Sequence, residues 1–117
     1  MLYLLETKLT ENKSIFFALT KIYGIGKNTA FSICKKLGFS INLKTKNLTQ
    51  EQIMELLQLI DSLDLKLNNE LKKLRSMNLK NLISIKSYRG LRRVHGLPVR
   101  GQRTHTNAKS SKKNRRF

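Results

Sequence analysis

The last 47 residues of the chain, from Leu71 to Phe117, contain fifteen Lys and Arg residues and no Asp or Glu. The first seventy residues contain nine basic and seven acidic residues, so nearly all of the net charge of +17 lies in the final segment. Fifteen like charges repel one another unless a partner neutralises them, which indicates a polyanionic partner. The charge distribution therefore predicts a folded body followed by a basic arm that is disordered when free.

The composition also argues against several functional classes. Cys34 is the only cysteine, and its helical spacing from apolar neighbours predicts a buried structural thiol in a reducing compartment. His95 and His105 have no thiol or carboxylate beside them, so neither a metal site nor a catalytic centre is expected. No apolar stretch approaches the roughly 18 residues that a membrane span requires. We therefore expect a protein that is not an enzyme and has no cofactor, small-molecule substrate or membrane partner.

Apolar spacing predicts a helical fold for the body. A stripe over residues 15–22 has the spacing of an amphipathic helix that stops at Gly24. A second helix should begin just after Gly26 and end at Gly38, which suits the left-handed residue past a helix end. The two predicted helices are joined by a short turn that contains two glycines.

Two further helices are predicted beyond residue 48. Thr49 and Gln52 have the spacing of a capping box ahead of an apolar helix. A longer helix from residue 66 to about residue 85 places its apolar residues within a narrow arc and most of its basic residues outside that arc. Asn78 falls inside the apolar arc, where it is either a paired polar contact or the point at which the helix leaves the core.

The predicted fold class is therefore all-α, with a small helical body, one longer helix and an extended basic C-terminal tail. The predicted division assigns the helical body to residues 1–64, the long basic amphipathic helix to residues 65–86 and the extended tail to residues 87–117. Pro98 and three glycines interrupt any regular pattern beyond Ser87, which is why the tail is expected to be extended.

The turn over residues 23–27 is the first functional candidate. A helix N-terminus offers unpaired N–H groups and partial positive charge, so a backbone phosphate could lie against Gly24, Gly26 and Lys27. The alternative is a corner between two helices that requires glycine for steric reasons only. The spacing matches neither a P-loop nor a dinucleotide fingerprint, so both interpretations stay open.

The basic tail is the second functional candidate. Arginine binds phosphate through paired hydrogen bonds and stacks on bases, and glycines between arginines let an extended backbone lie close to a folded nucleic acid. Neutral polar side chains between the arginines could contact riboses or base edges. Tyr88 either stacks on a base or anchors the tail on the helical body, and the second interpretation is favoured. The arginines of the tail are Arg89, Arg92, Arg93, Arg100 and Arg103.

Two rival functions remain at this point. A DNA-binding module would use the turn over residues 23–27 as a phosphate clamp, but it would leave the basic tail unexplained. A membrane-surface protein would use the same charge on anionic lipid, but the tail lacks large apolar residues that insert into a bilayer. The third possibility, a merely solvated basic tail, leaves the repulsion among its charges uncompensated.

Residues 87–93 (SYRGLRR), 96–104 (GLPVRGQRT) and 106–108 (TNA) resemble the signature of the bacterial-type small-subunit ribosomal protein thirteen family. Supporting matches are residues 18–27 (ALTKIYGIGK) and 76–80 (SMNLK). The resemblance covers nearly the whole chain. It implies a structural protein in the head of the small ribosomal subunit, with a body of the helix-two-turn-helix type and a basic tail along ribosomal RNA.

The resemblance also implies partners and contact residues. The expected partners are small-subunit ribosomal RNA, small-subunit protein nineteen, large-subunit protein five and large-subunit RNA across the inter-subunit bridges, and the peptidyl-site transfer RNA. Contact with transfer RNA is expected from Lys112, Lys113, Arg115 and Arg116. Ribosomal RNA contacts are expected from Arg89, Arg92, Arg93, His95, Arg100, Gln102, Arg103, Thr104, Asn107 and Lys109.

The chain departs from the family pattern at both ends. It starts with Leu2-Tyr3-Leu4-Leu5-Glu6 in place of the usual basic start, and its tail stops soon after residue 111. Residues 104–107 resemble mitochondrially encoded members, and sixteen Lys against eight Arg fit an AT-rich genome. A gene within the organelle would explain why no presequence is recognised. The predicted location is therefore the mitochondrial ribosome, with the cytoplasm of an AT-rich bacterium as the alternative.

Overall fold

The computed structural model describes residues 2–106 and 108–113. The chain divides into two compact units, with the boundary between Leu71 and Lys72. The described residues form six α-helices and one two-stranded sheet, so the predicted helical fold class is confirmed. The elements are β1 (Leu2–Leu4), β2 (Thr7–Leu9), α1 (Ile15–Leu19), α2 (Lys27–Leu37), a 3-10 turn (Thr45–Asn47), α3 (Gln50–Ser62), α4 (Asn68–Ser84), α5 (Tyr88–His95) and α6 (Lys109–Lys113).

The N-terminal hairpin was not predicted. Strands β1 and β2 pair in antiparallel register, with Leu2 opposite Leu9. The two turn residues, Leu5 and Glu6, have positive φ angles of 47° and 63°. Two-residue hairpin turns of this kind usually contain Asn-Gly or Asp-Gly, so Leu-Glu gives no turn signal. Leu4 is buried against the core, which holds the hairpin in place.

The first predicted helix is shorter in the structure than in the sequence pattern. Helix α1 ends at Leu19, although Ile22 and Ile25 are also buried. Two successive backbone hydrogen bonds span three residues each, from the N–H of Ile22 to the carbonyl of Leu19 at 3.0 Å and from the N–H of Ile25 to the carbonyl of Ile22 at 3.1 Å. These tight turns keep a nearly helical spacing, which is why the apolar pattern extends past the end of α1.

Helix α2 begins and ends, and helix α3 begins, where their caps predict. Gly38 adopts the left-handed conformation, with φ of 68°, at the end of α2. Before α3, the N–H of Gln52 donates to Oγ1 of Thr49 at 3.3 Å, and the N–H of Thr49 donates to Oε1 of Gln52 at 3.1 Å. This reciprocal pair is the predicted capping box. The core of the first unit consists of Leu4, Leu9, Ile15, Ala18, Leu19, Ile22, Ile25, Ala30, Ile33, Cys34, Leu56 and Ile60.

Thr45 is the one buried polar residue of this unit among those the structure describes. Its N–H donates to the carbonyl of Lys13 at 3.1 Å, and its hydroxyl lies 2.5 Å from the carbonyl oxygen of Thr10. Because both polar groups of Thr45 are paired, its burial carries no unsatisfied donor. Thr45 therefore ties the loop before α1 to the 3-10 turn.

Helix α4 spans the boundary between the two units and contains no buried residue. Asn78 is exposed, which favours the interpretation that the helix leaves the core at this point. Ile85 lies just past the end of the helix and is 74% exposed, so it does not extend the apolar face as predicted. The predicted division at residues 64/65 and 86/87 stays a prediction.

Candidate nucleic-acid interface

The segment predicted to be an extended tail contains a capped helix. Oγ of Ser87 accepts a hydrogen bond from the N–H of Gly90 at 3.1 Å, which starts α5. Gly96 ends it in the left-handed conformation, and the N–H of Leu97 donates to the carbonyl of Arg92 at 2.9 Å. Two of the glycines that argued for an extended tail thus lie in or end this helix, and the expectation is corrected for Tyr88–His95.

Gly90 lies inside α5 at a close approach to α4. A Cβ atom added to Gly90 would lie 2.6 Å from the carbonyl carbon of Leu82 and 2.8 Å from the backbone nitrogen of Ile83. Real Cβ atoms do not approach backbone atoms this closely, so only glycine fits. The prediction that this glycine brings the backbone close to nucleic acid is therefore replaced by a packing role between α5 and α4.

A groove of about 680 Å³ lies beside α5. Arg89 and Arg93 are four residues apart on the helix, so both face the groove, and Arg100 approaches it from the following loop. The remaining lining residues are Gly96, Leu97, Pro98, Val99, Gln102, Ser110 and Ser111. The structure thus brings together three of the five predicted tail arginines.

Within the described part of the chain, no acidic side chain pairs with the arginines of this groove. Arg89, Arg93 and Arg100 are exposed, and none of their side chains is hydrogen bonded or ion paired to another described residue. The sequence contains no Asp or Glu after Glu70 that could neutralise them. Three guanidinium groups around a concave surface with serine hydroxyls match the phosphates and riboses of a nucleic-acid backbone.

Arg92 differs from the three arginines that line the groove. It is half-buried, and its Nε donates a hydrogen bond to the carbonyl oxygen of Pro98 at 3.1 Å. Its guanidinium carbon lies 5.8 Å from the centroid of the Tyr88 ring, within cation–π range. Tyr88 is 65% exposed, so its side chain is accessible for stacking, and its interpretation as an anchor of the tail on the helical body stays a prediction.

The other predicted contact residues fall into three groups. Gln102 lines the groove, and its Oε1 accepts a hydrogen bond from the N–H of Arg100 at 3.1 Å, which shapes the loop. Exposed residues that do not line the groove are His95, Arg103, Thr104, Lys109, Lys112 and Lys113. Asn107, Arg115 and Arg116 lie outside the residues that the structure describes.

Sequence reasoning missed the serines of the groove. Ser110 and Ser111 lie in α6, which begins after the buried Ala108. The N–H of Lys112 donates to the carbonyl of Ala108 at 3.2 Å, so this short helix starts at an apolar contact within the basic tail. A single buried alanine between polar residues gave no periodic signal that could have indicated the helix.

The turn between α1 and α2 presents its two glycines to different surroundings. Gly24 has φ of 111°, and a Cβ atom there would lie 2.8 Å from Cδ2 of Leu67 and 3.1 Å from the carbonyl oxygen of Lys66. Gly24 is therefore required by packing within the protein. Nothing lies within 4 Å of a Cβ atom added to Gly26, and Lys27 is exposed. Gly24 and Gly26 are both exposed, so the backbone of the turn is open to a ligand at either glycine.

A second groove, of about 390 Å³, lies in the first unit and is acidic. It is lined by Glu6, Asp61, Asp64 and Glu70, which are four of the seven acidic residues of the chain. Apolar side chains lie between these carboxylates, among them Leu5, Ile60, Leu65 and Leu67. Carboxylates repel phosphate, so this groove is unsuited to a nucleic-acid backbone and suited to a basic surface.

The described residues offer neither a metal site nor a membrane-spanning helix. No group of three or more His, Cys, Asp or Glu side chains is arranged there to hold a metal ion. None of the helices in the described ranges is long and apolar enough to cross a membrane. Cys34 is buried, as predicted, and burial raises the pKa of its thiol.

Known proteins match the chain over nearly its whole length. The sequence profile of the family described as ribosomal protein S13/S18 matches residues 3–110. The chain belongs to this S13 family of ribosomal proteins. The family resemblance predicted from residues 87–108 is thereby confirmed, and the chain is a ribosomal protein of the small-subunit type from a family that is structural and not enzymatic.

Individual members of the S13 family support the same assignment. A protein of Marchantia polymorpha named small ribosomal subunit protein uS13m is 46% identical over 113 residues, which cover 97% of this chain and 93% of the relative. A protein of Daucus carota with the same name is 45% identical, with 97% of each chain covered. Small ribosomal subunit protein uS13c of Gracilaria tenuistipitata var. liui is 45% identical over 89% of this chain and 82% of the relative.

Proposed function

We propose that this S13 family protein binds small-subunit ribosomal RNA through the arginine groove beside α5, as a structural constituent of the head of the subunit. The observation that carries the proposal is the convergence of Arg89, Arg93 and Arg100 on one concave surface without acidic neighbours. A guanidinium that no other described residue pairs with is available to pair with phosphate. The role is positional, because neutralised phosphates fix the protein where RNA segments converge.

The RNA proposal is tested by replacing Arg89, Arg93 and Arg100 together with Gln. A control variant replaces Lys36, Lys44 and Lys46, which are exposed in the first unit, and removes the same charge. If about seven phosphates are neutralised in the wild-type complex, log affinity falls with log salt at a slope near −5 to −6. The groove variant should lose about two to three units of this slope, whereas the control should lose much less.

The same titration separates the proposal from its rivals. Structured small-subunit RNA, duplex DNA of equal length and anionic vesicles are offered to the wild-type protein at equal phosphate concentration. Preference for structured RNA is expected. Equal binding to duplex DNA would favour a DNA-binding module, and a nearly flat salt dependence would contradict the electrostatic account.

For the first unit we propose protein partners. The acidic groove with Glu6, Asp61, Asp64 and Glu70 suits a basic protein surface, which fits small-subunit protein nineteen or large-subunit protein five at an inter-subunit bridge. Gly26 and Lys27 provide a separate open position for large-subunit RNA or another partner. Zero-length carbodiimide crosslinking of assembled ribosomes should join these carboxylates to lysines of a protein. Crosslinks only within this chain would contradict the assignment.

For the end of the chain we propose contact with the peptidyl-site transfer RNA. Lys112 and Lys113 are exposed in α6, and Arg115 and Arg116 add two further charges in the sequence. Deleting residues 112–117 should reduce transfer RNA occupancy of the peptidyl site in isolated small subunits while leaving the protein bound. Unchanged occupancy would show that the chain ends short of the transfer RNA.

We propose the mitochondrial ribosome as the location. Two of the three relatives described above carry the name uS13m, in which the suffix denotes a mitochondrial protein, and the third carries the chloroplast suffix. The bacterial cytoplasm is the alternative. Mass spectrometry of purified mitochondrial ribosomes from the source cells should detect the chain, and its detection only with other ribosomes would contradict this location.

A further inference from the structure

We infer that Arg92 is a positioning residue that holds the arginine groove in shape, and that it does not itself bind phosphate. The inference deepens the proposed RNA binding and rests on it for its functional consequence. It also separates Arg92 from Arg89, Arg93 and Arg100, although all four belong to one basic run in the sequence. The separation comes from the contacts of each side chain.

Two hydrogen bonds connect Arg92 to the segment that follows α5. Its carbonyl oxygen accepts from the N–H of Leu97 at 2.9 Å, and its Nε donates to the carbonyl oxygen of Pro98 at 3.1 Å. Pro98 has no N–H of its own, so its carbonyl is the only backbone group through which it can be held in this way. Leu97 and Pro98 both line the groove. Arg92 therefore fixes one wall of the groove to the helix that forms the other.

The position of Arg92 on α5 also supports a positioning role. Arg89 and Arg93 are four residues apart and share the face that lines the groove. Arg92 and Tyr88 are also four residues apart, and the Arg92 guanidinium lies 5.8 Å from the Tyr88 ring centroid. The planar guanidinium suits both the ring and the carbonyl, since it offers a face for stacking and an Nε–H in its plane. Arg92 is half-buried and does not line the groove.

Loss of this contact has a specific consequence for the groove. The loop after α5 carries Arg100, whose N–H is held by Oε1 of Gln102 at 3.1 Å. Without the bond from Arg92 to Pro98, this loop loses its tie to the helix and Arg100 is no longer held opposite Arg89 and Arg93. A lysine at position 92 keeps the charge but has neither the planar group nor the Nε–H. The charge of the side chain and its positioning role can therefore be separated experimentally.

The experiment compares Arg92→Lys and Arg92→Gln with Arg93→Lys and Arg93→Gln in the full chain. Backbone amide exchange of Leu97 and Arg100 is measured by NMR in the free protein, and affinity for a small-subunit RNA fragment is measured over a range of salt. Circular dichroism verifies that α5 is retained. We expect Arg92→Lys and Arg92→Gln to exchange faster at Leu97 and Arg100, and the two Arg93 variants to exchange like the wild type.

The affinities for RNA should also separate the Arg92 variants from the Arg93 variants. Arg92→Lys should lose about tenfold in affinity, close to the loss of Arg92→Gln, because the loop must then be ordered on binding. The salt slope should stay that of the wild type, since Arg100 still pairs with its phosphate once the loop is ordered in the complex. Arg93→Lys should bind within about threefold of the wild type, and Arg93→Gln should lower the salt slope by about one.

Two results would overturn the inference. If the amides of Leu97 and Arg100 exchange in Arg92→Lys at the wild-type rate, the Arg92 side chain does not hold the loop. Wild-type affinity of Arg92→Lys, together with a salt slope lowered by about one in Arg92→Gln, would make Arg92 a phosphate contact. If the wild-type protein itself fails to bind the RNA, the proposed function fails, and the exchange measurement alone decides the role of Arg92.

Discussion

At Gly90, a missing side chain allows α5 to lie against the last turns of α4. Replacing a glycine inside a helix by alanine usually stabilises the helix by about 0.5–1 kcal/mol. Here the added Cβ would lie 2.6 Å from the carbonyl carbon of Leu82, so α5 must shift. We expect Gly90→Ala to lower the free energy of unfolding by about 1–3 kcal/mol, as overpacked sites do, and to weaken RNA binding.

Urea unfolding and RNA titration measure these effects. Leu91→Ala is the matched control, because Leu91 lies in the same helix and is 45% exposed. The control should change both quantities much less than Gly90→Ala. A Gly90→Ala variant that is as stable as the wild type or more stable would contradict the close approach of the two helices.

Cys34 gives a second prediction at the scale of single residues. Burial raises the pKa of its thiol, so the folded state holds the proton at pH values where an unfolded thiol has lost it. Iodoacetamide should therefore react with Cys34 far more slowly in the folded protein than in urea. The free energy of unfolding should also fall as the pH rises above about 8.5, the ordinary thiol pKa. Equal alkylation rates in both states would contradict burial of the thiol.

Among the helices, those with local end signals could be predicted from the sequence. The capping box at Thr49 and Gln52 and the left-handed Gly38 are short-range chemistry, so the start of α3 and the end of α2 are as expected. The hairpin depends on a Leu5-Glu6 turn without a turn signal. Helix α5 also has end signals at Ser87 and Gly96, but the glycines and Pro98 of this segment indicated an extended tail, and the packing of Gly90 against α4 cannot be read from spacing along one helix.

The candidate groove could likewise be predicted from the sequence only in part. Residue type alone predicted Arg89, Arg93 and Arg100 as nucleic-acid contacts, and the structure brings them together. The role of Arg92 depends on a hydrogen bond to Pro98, six residues away across a helix end. A run of similar basic residues contains no local signal that distinguishes one arginine from the next, so the positioning role of Arg92 was not predicted.

Thr49 allows a test of one helix end. Thr49→Ala removes the oxygen that accepts from the N–H of Gln52 at 3.3 Å and should destabilise the protein by about 0.5–2 kcal/mol. Thr49→Ser keeps a hydroxyl at the same place and should retain most of the stability. Thermal unfolding followed by circular dichroism measures both variants. Equal losses in the two variants would show that the threonine methyl group matters and the cap does not.

For the whole molecule, charge is segregated between two surfaces. Three arginines converge on a groove in a segment without acids, while four of the seven acidic residues line a groove in the first unit. RNA and basic proteins are attracted to opposite signs of charge, which is why different partners are proposed for the two grooves. Membership of the S13 family places these surfaces in a ribosomal protein.

We propose that the arginine groove anchors the chain in the small ribosomal subunit. The most direct test is sedimentation of a gentle lysate of the source organelle or cell that contains the tagged wild-type chain or the Arg89, Arg93 and Arg100 to Gln variant. Fractions are analysed by mass spectrometry before and after magnesium is lowered to separate the subunits. The wild-type chain should move with the small subunit in both gradients, and the variant should shift to light fractions. Wild-type protein confined to light fractions, or a variant that stays with the small subunit like the wild type, would contradict the account.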